Sequence, residues 1–130
     1  MIKNFKEFSH LLDEQKRIHE TKVFHEEDSY EKYGDGSDYE GYTSWIDFWE
    51  QHSKSNLSDI KKCPCCGETM TDPDGAHVVD SNGNKYITPT CSSCNSKAAQ
   101  NEEFRCKPFF VQDKHLVDFD WEAVKKLRKS

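Results

Sequence analysis

Residues 63–95 decide the fold of this chain: "CPCCGETMTDPDGAHVVDSNGNKYITPTCSSCN". A Cys-x-x-Cys pair opens this stretch, and a second pair lies near its end. This spacing is typical of a zinc site. Four thiolates suit a closed, tetrahedral structural site. We therefore predict one structural Zn²⁺ bound by four ligands, which are Cys63, Cys66, Cys91 and Cys94.

The chain between and after the pairs predicts the elements around this ion. Residues 77–90 carry "SNGN" between two β-branched runs, which is a strong signal for a β-hairpin. The second pair opens a predicted helix over residues 92–101. In the first pair, Pro64 stiffens the turn and Gly67 permits the backbone conformation that lets both sulfurs face one ion. Knuckle, hairpin and helix in this order are the layout of a treble-clef zinc finger, which is an α+β fold.

Two cysteines, Cys65 and Cys106, lie outside this set of four. One interpretation makes them a free thiol and a small buried apolar residue. The other makes one of them a substitute metal ligand. The sequence leaves both interpretations open.

Outside the cysteine stretch, helices are predicted at three places. Residues 3–24 place apolar side chains at mostly helical spacing. Residues 44–53 predict a short helix that begins at Ser44 and has an aromatic face, more often a core face than a binding surface. A last helix follows Asp120, and its basic end suits a helix C-terminus. Residues 109–120 predict a strand pair, or a strand and a loop.

The sequence favours two parts. Residues 1–60 are predicted to be an acidic, aromatic and helical extension, and residues 61–130 a zinc-binding domain with a C-terminal helix. The short stretch "TDPDG", residues 71–75, is predicted to be a turn.

The charge of the chain lies mainly in its first half. The formal net charge is −6, and residues 1–62 hold 9 basic and 14 acidic side chains, which gives −5. Residues 26–42 alone hold seven acids and one lysine, which predicts a solvated loop or linker. This is not the profile of a protein that binds nucleic acid by bulk electrostatics. It favours a protein partner with a basic surface, with nucleic acid as a further candidate.

The start of the chain, "MIKNFKEFSH", lacks the apolar core of a signal peptide, and no run approaches the length of a membrane span. We therefore expect a cytoplasmic protein with no membrane partner. In a reducing compartment, paired cysteines favour metal binding over disulfides.

Residues 63–95 resemble the HNH endonuclease superfamily in its zinc-stabilised ββα-metal form. The blocks "CPCCG", "GAHVV" and "YITPTCSSCN" are also similar to those of a group of uncharacterised bacterial HNH-like proteins. The resemblance implies that His77 is the general base that activates water against a phosphodiester. It implies that Asn95 is a ligand of a catalytic divalent ion, for which Mg²⁺ is the suitable metal.

The sequence departs from the family pattern at two positions. Ala76 precedes His77 where the family places a metal-binding Asp or His. Tyr86 occupies the place of the middle Asn, and Asn84 lies two residues earlier. The alternative for His77 is a hydrogen bond to a backbone carbonyl that orients the hairpin. The alternative for Asn95 is a polar cap in the first helical turn.

Three functions remain open from the sequence. The first is a degenerate, non-catalytic, zinc-binding HNH-like module that binds a protein or nucleic-acid partner, for example as a phage-type inhibitor or accessory factor. The second is an active metal-dependent nuclease that cleaves DNA or RNA with His77 as its general base. The third is a purely structural zinc domain in a larger assembly.

Overall fold

The computed structural model describes residues 19–130. The described chain is α+β, as the sequence predicts. Its five strands are β1 (Glu20–His25), β2 (Asp74–Asp80), β3 (Lys85–Thr90), β4 (Phe109–Gln112) and β5 (Val117–Asp118). Its five α-helices are α1 (Ser29–Tyr33), α2 (Trp45–His52), α3 (Ser92–Gln100), α4 (Glu102–Arg105) and α5 (Trp121–Val124).

The five strands form one antiparallel sheet in the order β4-β1-β2-β3-β5. The predicted hairpin is confirmed as β2 and β3. Its turn is held by Asp80, whose carboxylate accepts hydrogen bonds from the backbone amides of Asn82 and Asn84, both at 2.9 Å. Gly83 adopts a φ of 84°, a conformation that glycine reaches without strain. The hairpin therefore forms from local chemistry.

The two faces of the sheet carry different cores. Successive residues of a strand point to opposite faces, so Ala76 and Val78 lie on one face of β2 and His77 lies on the other. The first face packs a small aliphatic and aromatic cluster that includes Val23 and Phe109. The second face packs a larger aromatic cluster, whose buried members are Tyr33, Tyr39, Trp45, Phe48, Trp49, Ile87, Val117, Phe119 and Val124.

Helix α2 covers the second face, and its predicted aromatic stripe is confirmed as a core face. The Ser44 hydroxyl accepts a hydrogen bond from the Asp47 amide at 3.0 Å, which caps the helix as predicted. Trp45, Phe48 and Trp49 are all buried. Gly75 of β2 lets the helix approach closely, because an added Cβ would lie 2.4 Å from the Trp45 carbonyl carbon.

The predicted helix over residues 3–24 is wrong at its C-terminal end. Residues 1–18 lie outside the described part of the chain, but Glu20–His25 form a strand. The reason is tertiary pairing, because β1 lies between β2 and β4 and forms ladders with both. Val23 and His25 are buried as alternating residues on one side of this strand.

The prediction of a solvated loop over residues 26–42 is right for six of its seven acids, which are exposed, but the segment is not entirely a loop. The segment forms α1 and a 3₁₀ turn at Gly36–Asp38. Tyr33 and Tyr39 have no exposed surface. The segment buries both rings without desolvating most of its acids, because those acids point outward while the rings pack into the core. Glu26 is the exception among these acids, since it is buried.

The C-terminal residues complete both edges of the sheet. The two strands predicted in residues 109–120 exist, but they do not pair with each other: β4 pairs with β1, and β5 pairs with β3. Asp120 caps α5 as predicted, accepting from the Ala123 amide at 3.4 Å. The predicted "TDPDG" turn is shorter than expected, because β2 begins at Asp74.

The division of the chain at residue 60 stays a prediction. In the structure, β1 and α2 from the first part share a sheet and a core with β2 and β3 from the second part. Within residues 19–130, no helix is both long and apolar enough to cross a bilayer.

Candidate metal centre and the adjoining cleft

The structure brings the four predicted cysteines together, with all four sulfur atoms within 4.8 Å of one another. The Cys63 and Cys94 sulfurs are 3.9 Å apart, and the Cys66 and Cys91 sulfurs are 3.7 Å apart. Zn–S bonds of about 2.3 Å give a tetrahedron with edges of about 3.8 Å. The cluster therefore has the size of a tetrahedral thiolate site and is positioned to hold a metal ion such as zinc.

The first pair lies in a tight turn between two short extended segments. The Gly67 amide donates to the Cys63 carbonyl at 2.8 Å, and an isolated bridge joins Lys62 to Thr69. Gly67 has a φ of 79°, as its predicted role requires. This turn directs the sulfurs of Cys63 and Cys66 toward one point.

The second pair lies at the start of α3, which follows β3 directly. Cys91 is the residue that precedes the helix, and its sulfur accepts the Cys94 amide at 3.4 Å. The Cys91 amide donates to the Cys63 sulfur at 3.4 Å. These N–H groups place positive ends of backbone dipoles on the sulfurs, which favours their thiolate form.

The surroundings of Cys63 and Cys94 favour the neutral thiol of each residue. Burial, and then hydrogen bonds to the Cys91 and Cys66 thiols, raise the pKa of Cys94. Burial also raises the pKa of Cys63, and the backbone amides of neighbouring residues only partly oppose it. A divalent cation bound by the four sulfurs would stabilise their thiolate forms, because a thiol that ligates a metal is deprotonated.

The two remaining cysteines have different surroundings. Cys65 is half-buried, and its sulfur lies 3.8 Å from His25 Nε2. Cys106 is exposed, so it is not the buried apolar residue of the first interpretation. Neither belongs to the four-sulfur cluster.

His77 lies in the middle of β2, on the aromatic face of the sheet. Its ring stacks on Tyr33 with centroids 4.5 Å apart, and the rings of Trp45 and Phe119 meet it edge-on at 4.6 and 4.8 Å. The residue is 8% exposed. Neither ring nitrogen has a hydrogen-bond partner within residues 19–130, so the expected hydrogen bond to a backbone carbonyl is absent there.

Burial, with a smaller contribution from the Lys85 charge, lowers the pKa of His77 to about 3. The imidazole is therefore neutral at neutral pH, and it is a weak proton acceptor. Burial also lowers the pKa of His25 to about 4.

Asn95 lies in the first turn of α3, directly after the last cysteine. Its side-chain Nδ2 donates to Asp74 Oδ2 at 3.2 Å, which ties the helix to the start of β2. Asn95 therefore bonds a side chain of the hairpin, whereas Cys91 occupies the capping position of the helix.

His77 and Asn95 line the same cleft, whose volume is about 300 Å³. Among the described residues, the charged side chains of the lining are Glu26, Asp28, Glu31 and Arg105. Ala76, on the opposite face of β2, has 1% of its surface exposed and packs in the aliphatic cluster. The Tyr86 hydroxyl donates a hydrogen bond to Asp80 at 3.2 Å. Both positions at which the sequence departs from the HNH pattern, Ala76 and Tyr86, therefore have structural roles.

Sequence reasoning missed Glu26, which lies beside His77 across the β1–β2 ladder. The Glu26 amide donates to the His77 carbonyl at 3.0 Å. The Glu26 Oε1 atom accepts from the Tyr33 hydroxyl at 2.8 Å and lies 2.9 Å from Lys85 Nζ. No local pattern marks Glu26 among seven acids, because its burial depends on pairing between distant strands.

Comparison with models of protein families, with curated proteins and with solved structures finds no significant match to this chain.

Proposed function

We propose that this protein is a zinc-stabilised, HNH-like module of treble-clef type that does not catalyse phosphodiester cleavage and binds a partner protein with a basic surface. Zn²⁺ has a structural role in this proposal. Residues 63–95 supply the scaffold, and the acidic side chains around residues 26–31 supply the recognition surface.

The four-sulfur cluster supports the zinc. All four ligands are cysteines, and soft thiolates in a tetrahedral arrangement select zinc over hard cations such as Mg²⁺. The order of turn, β2, β3 and α3 supports the treble-clef type, since the cluster joins the turn before the hairpin to the helix after it.

The burial of His77 is the single observation that supports the absence of phosphodiester cleavage in this proposal. A general base must come within hydrogen-bond reach of the proton that it removes, and its pKa should lie near the working pH. His77 is 8% exposed among three aromatic rings, and burial lowers its pKa to about 3. A phosphodiester-bound water would meet a shielded and weakly basic imidazole.

The charge around the cleft supports a basic partner. Among residues 19–130, the cleft lining carries three carboxylates, Glu26, Asp28 and Glu31, and one cation, Arg105. Lys85 lies outside the lining and pairs with Glu26 at 2.9 Å. Arg105 Nη2 lies 3.4 Å from Glu27 Oε1, so its charge is partly balanced. A surface of this sign repels a phosphate backbone and attracts lysine and arginine side chains.

The zinc is tested by metal analysis of the purified chain and of two matched variants. We expect about one zinc per chain, and loss of both zinc and folded structure in Cys63→Ser, because metal binding is coupled to folding. Cys106→Ser is the control, since Cys106 is exposed and outside the cluster. A chain that folds without zinc would contradict the proposal.

The absence of catalysis is tested with the zinc-loaded chain and DNA and RNA substrates in Mg²⁺, Mn²⁺ or Ni²⁺. We expect no cleavage above that of His77→Ala. The alternative function is an active nuclease, and the placement of His77 and Asn95 in one cleft favours it. Cleavage that His77→Ala abolishes, with zinc still bound, would establish that alternative.

A further inference from the structure

The cleft between β2, α1 and α3 holds polar groups that its own residues leave unpaired. Glu26 Oε2 has no hydrogen-bond partner within residues 19–130, although its side chain is only 7% exposed. Both ring nitrogens of His77 also lack a hydrogen-bond partner within residues 19–130. An unpaired buried carboxylate oxygen is costly. Glu26 Oε2 has less than 1 Å² of accessible surface, so a donor from the cleft reaches it only when neighbouring side chains move, and the hydrogen bond then formed favours that movement.

The charges of the cleft select a cation as that donor. Among the described residues, its lining carries three carboxylates against one arginine, which gives a formal charge of −2 when both histidines are neutral. Lys85, outside the lining, pairs with Glu26 Oε1 at 2.9 Å and leaves Oε2 without a partner within residues 19–130. Burial lowers the pKa values of His77 and His25 to about 3 and about 4, so both are neutral at neutral pH. A neutral or anionic donor would gain less from these carboxylates.

The walls of the cleft select a flat cation. Trp45 and His77 contribute aromatic rings to the lining, and Tyr30 stands at the rim with 74% of its surface exposed. A guanidinium is planar, weakly hydrated and stacks on aromatic faces, whereas an ammonium is compact and strongly hydrated. The guanidinium can also donate two parallel hydrogen bonds to one carboxylate.

We propose that this cleft binds a guanidinium group, which donates to Glu26 and packs against the aromatic residues of its lining, Trp45 and Tyr30. The proposal deepens the proposed function and rests on it, since an arginine side chain of the basic partner is one source of this group. A free guanidinium compound is the other source.

The chemistry is tested by titrating the full, zinc-loaded chain with three ethyl compounds: ethylguanidinium, a planar cation; ethylammonium, a compact cation; and ethylurea, a planar neutral molecule. Binding is followed by the NMR amide shifts of Gly34 and Gly75, which line the cleft. We expect ethylguanidinium to bind at least about tenfold more tightly than the other two. Equal binding of neutral ethylurea would overturn the proposal.

Matched variants locate the site. We expect Glu26→Gln to weaken ethylguanidinium binding by at least about tenfold. If Glu26→Gln does not fold, the exposed rim pair Asp28→Asn with Glu31→Gln replaces it, and the same direction is expected. Glu40→Gln is the control, because Glu40 is an exposed acid of the same segment outside the cleft. Unchanged affinity in the folded cleft variants would overturn the proposal.

The source of the group is tested with a capped Gly-Arg-Gly peptide and its citrulline analogue. Binding of the arginine peptide more tightly than ethylguanidinium supports a partner side chain, and weaker binding supports a free guanidinium compound. If Mg²⁺ or Mn²⁺ displaces ethylguanidinium at equal or lower concentration, the cleft is a metal site and the proposal fails. Such a failure leaves zinc content and the nuclease assay unaffected, so it is distinct from a failure of the proposed function.

Discussion

His77 and Glu26 show how the pairing of β1 with β2 sets the burial and the contacts of single residues. Both are polar and both are buried, and the amide of Glu26, the residue after β1, donates to the carbonyl of His77 in β2. The Glu26 carboxylate lies 2.9 Å from Lys85 Nζ and forms an ion pair with it. His77 has no such partner among the described residues, and burial suppresses its protonation instead.

The lowered pKa of His77 predicts a pH-dependent stability. The folded-state pKa is about 3 and the ordinary value is 6.5, so the unfolded chain binds a proton first as the pH falls. This contribution to stability is complete above pH 6.5 and is lost progressively toward pH 3. Between pH 7 and pH 5, the wild type should lose about 2 kcal/mol more than His77→Phe, which keeps the ring.

The measurement is urea unfolding of both proteins at pH 7, 6 and 5 with zinc in excess. Comparison with the variant cancels contributions from the cysteines and from His25, which the two proteins share. Parallel pH profiles would show that His77 is not protonated differently in the folded and unfolded chains.

At the scale of the elements, α2 packs on β2 at a glycine. An added Cβ at Gly75 would lie 2.6 Å from the Ile46 amide nitrogen and closer still to Trp45. These neighbours are backbone atoms, which move only if the helix moves. The approach of α2 to the sheet therefore depends on a residue without a side chain, and the same approach places the Trp45 ring against His77.

We expect Gly75→Ala to lower the free energy of unfolding by about 1–3 kcal/mol, because the clash separates α2 from β2. Denaturant unfolding with zinc present measures the change. Gly83→Asn is the control, since nothing lies within 4 Å of an added Cβ there and asparagine tolerates the left-handed conformation. An unchanged midpoint for Gly75→Ala would disprove the packing argument.

At the scale of the whole molecule, the strands from residues 20–25 and 109–118 extend the β2–β3 hairpin on both sides. β1 lies between β4 and β2, so the hairpin and the C-terminal residues depend on a strand that precedes the first cysteine by about 40 residues. Helix α2 adds Trp45 and Trp49 to the core on one face of that sheet.

We expect residues 61–130 alone to lose cooperative unfolding, because removal of β1 exposes β2 and β4 and removal of α2 exposes Ile87 and Val117. Near-UV circular dichroism and calorimetry measure this loss. Addition of residues 1–60 as a separate chain should restore the transition. A cooperative transition for residues 61–130 alone would support an independent zinc domain.

The sequence by itself determined the features that depend on neighbouring residues. The four-cysteine cluster follows from two Cys-x-x-Cys pairs, one in a turn and one at the start of a helix. The hairpin follows from "SNGN", and α2 from Ser44 and its aromatic stripe. Each of these has a local signal, because turn, cap and ligand spacing depend on residues a few positions apart.

Only the tertiary structure decided what depends on distant pairing. It made Glu20–His25 a strand between β2 and β4, although the sequence predicts a helix there. It buried Tyr33 and Tyr39 within an acidic segment, and it enclosed His77 in an aromatic cluster. The physical reason is that burial is a property of the assembled sheet and helices. The side chains that pack on a histidine decide whether its imidazole is an exposed base or a buried, neutral ring.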